Sequence, residues 1–254
     1  MAANSTDQPV LAASEKDIDL TLWRSWVKAT IAGGMVGAAL SLFFYVATTI
    51  LALYLSAQSE FPFLAVILST SELATGTLLG ITVGVFQGRA LRNSFGARVW
   101  LPWATATTLG FALTIAVLKL ISVFLNDIDA NFRKFGDEVG QISSVIIFSL
   151  FMGVIVGSLQ CIILRPHARR VAWWPVGIVV GLAVGSCIAL GLTSLAVPAI
   201  LGPNATFFSA PIAFFLYIGF STCLPWPVTA AITGWVLVKV LKKPGRSDTG
   251  ISSN

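Results

Sequence analysis

Glu72 and Lys119 are ionisable residues inside long apolar stretches of the chain, where a charge is costly unless it is paired or put to work. Thr70, Ser71, Thr75 and Thr77 surround Glu72, and both charges fall near the outer ends of their stretches. Two chemistries fit: an ion pair across adjacent antiparallel helices, or a site that binds and releases an ion or small solute as access alternates. Gln87 and Gln160 pose the same choice. A primary amide in hydrocarbon carries donors and an acceptor that need partners. It can bond a neighbouring backbone or its counterpart amide, or it can face a polar cavity and hold a headgroup, pigment or solute. Pro225 and Pro227 flank Trp226 inside a final apolar stretch longer than a bilayer requires. Their missing amides kink a helix and free carbonyls, either absorbing excess length or lining a cavity.

Enzyme chemistry is hard to assemble from the remaining residues. The chain has one histidine, His167, in a basic turn, with no paired carboxylates at helical spacing and no phosphate-cradling loop. Cys161, Cys187 and Cys223 lie in apolar segments without metal-ligand spacing and read as small packing residues. The expectation is a non-enzyme with no cofactor and no metal site.

The elements that position these residues follow from composition. Of 254 residues, 56% are hydrophobic and 11% charged, against about 25% charged in a soluble domain. Such a chain cannot cover its own core with polar surface, so the bilayer is its solvent. Apolar stretches predict spans at about 27–55, 69–90, 98–122, 141–165, 172–196 and 212–242. The turn after the second span carries Arg89, Arg92 and Arg98; that after the fourth carries Arg165, His167, Arg169 and Arg170; neither has an acid. The opposite loops hold Glu60, Asp127, Asp129, Asp137 and Glu138, against only Arg133 and Lys134. The basic bias places both termini and the two short turns in the cytoplasm. The net charge of +5 thus reports orientation, and no nucleic-acid partner is expected. Residues 1–22 and 243–254 read as disordered tails around a membrane domain at 23–242.

The spans are not independent. Gly80, Gly84, Gln87 and Leu91 recur as Gly153, Gly157, Gln160 and Leu164, with an arginine closing each set. A weaker third set is read at Ala230, Gly234, Leu237 and Leu241. Trp26 to Gly33, Trp103 to Gly110 and Trp174 to Gly181 are each seven apart. The fold predicted is therefore all-α: six transmembrane helices as three parallel two-helix hairpins, at about 23–92, 98–165 and 172–242, around a pseudo-threefold arrangement. Glycines four apart at Gly80/Gly84 and Gly153/Gly157 let backbones approach closely, as does Gly234 in the third set. Trp23, Trp26, Trp100, Trp103, Trp173 and Trp174 cluster where odd-numbered spans begin, which predicts interfacial anchoring beside arginines that contact lipid phosphates.

These segments resemble a family of multi-pass membrane proteins frequent in cyanobacteria, with repeated G-x-x-x-G-x-x-Q-W-x-x-L-R segments, W-x-x-A-T-x-x-G helices and a final T-G-x-x-L span. Gly80 to Arg92, Gly153 to Arg165, Trp103 to Gly110 and Thr233-Gly234 to Leu237 carry the likeness, over about half the chain; Gly88 and Cys161 stand where that pattern has tryptophan. The resemblance implies a bacterial plasma membrane address, or a thylakoid one in a cyanobacterium, and little mechanism. The expected role is a scaffold, assembly partner or lipid- or pigment-associated subunit, whose partners are membrane lipids and a membrane protein complex. The alternative is a small-solute transporter or its membrane substrate-binding component.

Overall fold

In hydrocarbon no water satisfies a backbone amide, so a chain this apolar must close its hydrogen bonds within helices. The computed structural model describes residues 8–58, 63–124, 137–168, 170–201 and 219–241. Six long helices account for almost all of them: α1 (Gln8–Gln58), α2 (Phe63–Phe95), α3 (Trp100–Phe124), α4 (Asp137–Leu164), α5 (Trp173–Leu201) and α6 (Pro225–Leu241). No strand occurs among the described residues. The helices form a closed ring, each packed on the next in sequence and α6 returning to α1.

Local chemistry sets the helix ends. α2 stops where Gly96 takes φ +87° and its N–H bonds the Arg92 carbonyl at 2.9 Å, a left-handed cap that glycine adopts without strain. Pro102 and Pro175 fall in the first turns of α3 and α5, where an amide would lack a helical acceptor. A short helical segment at 219–223 precedes α6, the chain turns at Leu224, and Pro225 starts the new helix. The expected proline kink is thus a break between two helical pieces.

α1 begins at Gln8, so residues 8–22, expected as a disordered tail, are helical in backbone. Pro9 sits in the first turn, where it is tolerated, and Ala12, Glu15 and Lys16 are good helix formers with no glycine after them to stop propagation. The helix spans about 75 Å, well beyond a hydrocarbon core. Residues 243–254, Glu60, Asp127, Asp129, Arg133, Lys134 and Arg169 lie outside the described residues.

The outer surface carries large apolar side chains, as that of a soluble protein does not, while some polar ones are buried. Phe43, Leu195 and Ile162 are 76%, 74% and 69% exposed, whereas Thr107, Thr114 and Gln160 are at most 2% exposed. The interior mixes these polar groups with buried apolar side chains such as Trp26, Leu91 and Met152, and the many exposed apolar side chains suit a lipid solvent. Among the described residues, five segments are long and apolar enough to cross a membrane: Leu20–Leu55, Trp100–Ile121, Ile142–Leu164, Trp173–Ile200 and Gly219–Leu241. This is an integral membrane protein. The described part of α2 is less apolar, diluted by Glu72, Gln87 and its glycines and threonines, and it packs between α1 and α3.

Glycines set how close the helices come. A Cβ at Gly84 would lie 2.9 Å from Ala104 Cα, and one at Gly80 3.0 Å from Thr108 Cα, so α2 and α3 touch backbone to backbone. Gly157 meets Pro175 Cα at 2.6 Å in the same sense, and Gly153 meets the Val179 backbone nitrogen at 2.8 Å, joining α4 to α5. Along α5, Gly177, Gly181 and Gly185 face Val236, Thr229 and Pro225 in turn, which makes α5 and α6 antiparallel. Gly234 seats the rings of Trp26 and Trp23.

Candidate functional site

The odd helices bring three tryptophans to one point. Trp26 of α1, Trp103 of α3 and Trp174 of α5 are 0%, 0% and 1% exposed. Their ring centroids are 5.7 Å (26–103), 5.5 Å (26–174) and 5.8 Å (103–174) apart, at interplanar angles of 85°, 77° and 62°. Each ring meets the others edge to face, the arrangement the indole quadrupole favours.

A buried indole N–H needs an acceptor, and each even helix supplies one. Trp103 Nε1 donates to Gln87 Oε1 at 3.2 Å, Trp174 Nε1 to Gln160 Oε1 at 2.8 Å, and Trp26 Nε1 to Thr233 Oγ1 at 3.1 Å. The amides then pass the linkage on: Gln87 Nε2 donates to Thr30 Oγ1 at 3.1 Å and Gln160 Nε2 to Thr107 Oγ1 at 2.8 Å. Each glutamine thereby ties together the two odd helices beside it. Thr30 and Thr107 lie four residues after Trp26 and Trp103; the same offset from Trp174 gives Ile178, which has no hydroxyl. None is needed there. Thr233 donates instead to its own helix at Thr229 O (2.7 Å), and Thr229 Oγ1 reaches α5 by donating to Gly181 O at 3.0 Å.

Two expectations change here. Trp26, Trp103 and Trp174, read as interfacial anchors, are core residues, because a neighbouring helix satisfies each N–H. Trp173 remains outside at 64% exposure, while Trp23 and Trp100 are half-buried. The register expected for α6 also shifts by one helical turn. Thr233 stands 73 residues after Gln160, as Gln160 does after Gln87. The corresponding set is Trp226, Ala230, Thr233 and Leu237, with Leu91, Leu164 and Leu237 all at most 1% exposed. Gly234 had suggested the other register through its glycine-like spacing, but its work is to make room for Trp26.

Below the indoles, Gln87, Gln160, Thr30, Thr107, Thr229 and Thr233 share with apolar neighbours a cavity of about 40 Å3. That admits only a few waters at about 10–15 Å3 each. It brings Gln87 and Gln160 together but not Glu72, Lys119, Pro225 or Pro227. Pro225 instead packs its carbonyl against Gly185. No metal-ligating cluster of histidine, cysteine or carboxylate is found among the described residues.

No family model matches the chain, and neither does any curated protein or solved structure.

Away from the centre, Glu72 Oε2 and Lys119 Nζ form an ion pair between α2 and α3, each side chain a little over 40% exposed. Thr75 and Thr77 do not turn to the carboxylate; their hydroxyls donate to the Ser71 and Leu73 carbonyls of their own helix. Glu72→Gln and Lys119→Met should each destabilise the protein by roughly 1 kcal/mol, with the double variant recovering much of the loss. A double-mutant cycle on thermal stability in mild detergent measures this; additive losses would mean the two charges do not support one another. At the other end, the turns after α2 and α4 touch, with the Phe95 and His167 rings 5.0 Å apart. Arg89, Arg92, Arg98, Arg165 and Arg170 are all exposed.

Sequence reasoning missed Thr30, Thr107, Thr229 and Thr233. The recurrence Trp-x-x-x-Thr at 26/30 and 103/107, and the 73-residue interval carried on from Gln160, were available to reveal three of them.

Proposed function

We infer that the protein is a non-enzymatic integral membrane scaffold, or assembly or lipid-associated subunit, built as three parallel hairpins with six spans and both termini cytoplasmic. The observation that carries this reading is the packed centre: three edge-to-face indoles, each of their N–H groups bonded, over a space of about 40 Å3. A solute path would need a wider polar cavity, and the Gln87 and Gln160 amides are spent on bonds between helices. The antiparallel packing of α2 against both neighbours supports counting it as the sixth span. The bacterial membrane address belongs to the same proposal and rests on the family resemblance.

Cysteine labelling tests both centre and topology. In a chain whose native cysteines are replaced, Val156→Cys places a thiol on the central cavity, Ser94→Cys one in the first arginine turn, and Asp129→Cys one in the acidic loop. A small impermeant thiol reagent should leave the cavity cysteine unmodified from either side until the protein is denatured. It should label the other two from opposite faces. Reaction at the cavity in the native protein would favour the transporter reading, and same-side labelling of the two loops would end the six-span topology.

A further inference from the structure

Outside the ring, α5 and α6 leave a groove of about 470 Å3 lined by Trp173, Val176, Val180, Ile232, Trp235 and Val240, with Arg170 and Lys239 among its walls. The volume is that of a ligand site, about 300–1,000 Å3, and more than ten times the central cavity. Its form follows from sequence. Trp173, Val176 and Val180 share one face of α5, and Ile232, Trp235 and Lys239 share one face of α6. Gly177 between them, 2.9 Å from Val236 Cγ atoms by its would-be Cβ, lets the floor come close while the two indoles stand up as rims.

The groove has a direction. Arg170 precedes the start of α5 and Lys239 lies in the last turn of the antiparallel α6, so both cations sit at the arginine-rich end. Lys239 Nζ lies 5.5 Å from the Trp235 ring centroid, over its face. Neither cation has a carboxylate partner among the described residues. Trp173 and Trp235 are 64% and 60% exposed, although both form part of an apolar wall. An apolar trough facing the bilayer, with two cations at its interfacial end, complements one class of membrane molecule: an acyl chain below, an anion above.

We propose that this groove is a binding site for one anionic phospholipid, its phosphate held by Arg170 and Lys239 and one acyl chain laid between Trp173 and Trp235. Indoles at headgroup depth and cations at the leaflet surface are suited to those tasks. The proposal deepens the lipid-associated part of the functional reading above, and the two fail separately: cavity labelling reports the closed centre, lipid retention reports the groove.

The full-length protein, purified in mild detergent and titrated with phosphatidylglycerol or phosphatidylcholine, is to be analysed by native mass spectrometry. One phosphatidylglycerol should be retained at concentrations where phosphatidylcholine is not. Arg170→Gln with Lys239→Gln should weaken its retention roughly 25-fold, about fivefold per cation. Arg89→Gln with Arg92→Gln, equal in charge removed but on another face, should leave it unchanged. Val180→Trp fills the trough from an exposed position and should abolish retention while thermal stability stays at the parent's value. Equal retention of the two lipids would overturn the proposal, since the headgroup would then not be read. Equal losses from the two double variants would overturn it as well, reducing the effect to diffuse surface charge. So would undiminished retention in a folded Val180→Trp protein.

Discussion

Trp103→Ala should lower the stability of the purified protein by about 3–5 kcal/mol, the range for truncating a large aromatic in a core. The ring contacts both other indoles at 5.7 and 5.8 Å and is wholly buried, so nothing nearby can relax from solvent to fill the space. The truncation also removes the donor to Gln87 Oε1, leaving a buried amide oxygen with one partner fewer. Trp103→Phe separates the two contributions. It keeps an aromatic ring and loses the N–H, and should cost about 1–3 kcal/mol, the penalty for an unmet buried polar group. Denaturing-detergent titrations of both variants beside the parent give the difference. An alanine variant as stable as the parent would mean that the indoles do not form the centre.

Gly157→Leu should be nearly as damaging, by about 3 kcal/mol or more. The first atom of any side chain at Gly157 meets Pro175 Cα at 2.6 Å, and backbone cannot swing aside as a side chain can. α4 and α5 would have to part, which also draws Gln160 Oε1 away from Trp174 Nε1, now 2.8 Å distant. Adding a Cβ should be harmless where no neighbour faces the glycine. Gly191, also in α5, has nothing within 4 Å of an added Cβ, so Gly191→Ala should stabilise by about 0.5–1 kcal/mol through helix propensity alone. Thermal melts of the two variants would reveal whether glycine matters here by position or merely by number. If both behave alike, the close approach at Gly157 is not what holds α4 to α5.

The parts of this architecture that the sequence makes legible are those governed by one helix at a time. Apolar length marks the spans, and a glycine every fourth residue marks the face that approaches a neighbour. The burial of Trp26, Trp103 and Trp174 was not legible in that way. A tryptophan near the end of an apolar stretch is equally at home at the lipid interface, and only a partner on another helix decides between the two. Gln87 and Gln160 announced that such partners were needed, without saying which. The register of α6 was obscured for a different reason. Gly234 imitates the spacing of Gly84 and Gly157, whereas Thr233 does not look like a glutamine. Yet a hydroxyl can accept from an indole as an amide can, and Ile178 removes the need for the second bond. Equivalence at this site is one of hydrogen-bonding capacity, which residue names conceal.

Ring closure also has a consequence for how the protein is made. The bond from Trp26 Nε1 to Thr233 Oγ1 joins residues 207 apart in sequence, and the α1–α6 seam it belongs to is the last that the ribosome supplies. At synthesis rates of about 5–20 residues per second, Trp26 emerges roughly 10–40 s before its acceptor exists. Over that interval α1, α2 and α3 can pack together, but the indole of Trp26 has neither its acceptor nor the wall formed by α6. The nascent ring is therefore a horseshoe with a polar, unsealed inner edge, exposed to whatever insertion machinery or neighbouring membrane protein lies beside it. A chain cut short before Thr233 would keep that edge open permanently, giving membrane quality control a physical mark by which to recognise an unfinished copy.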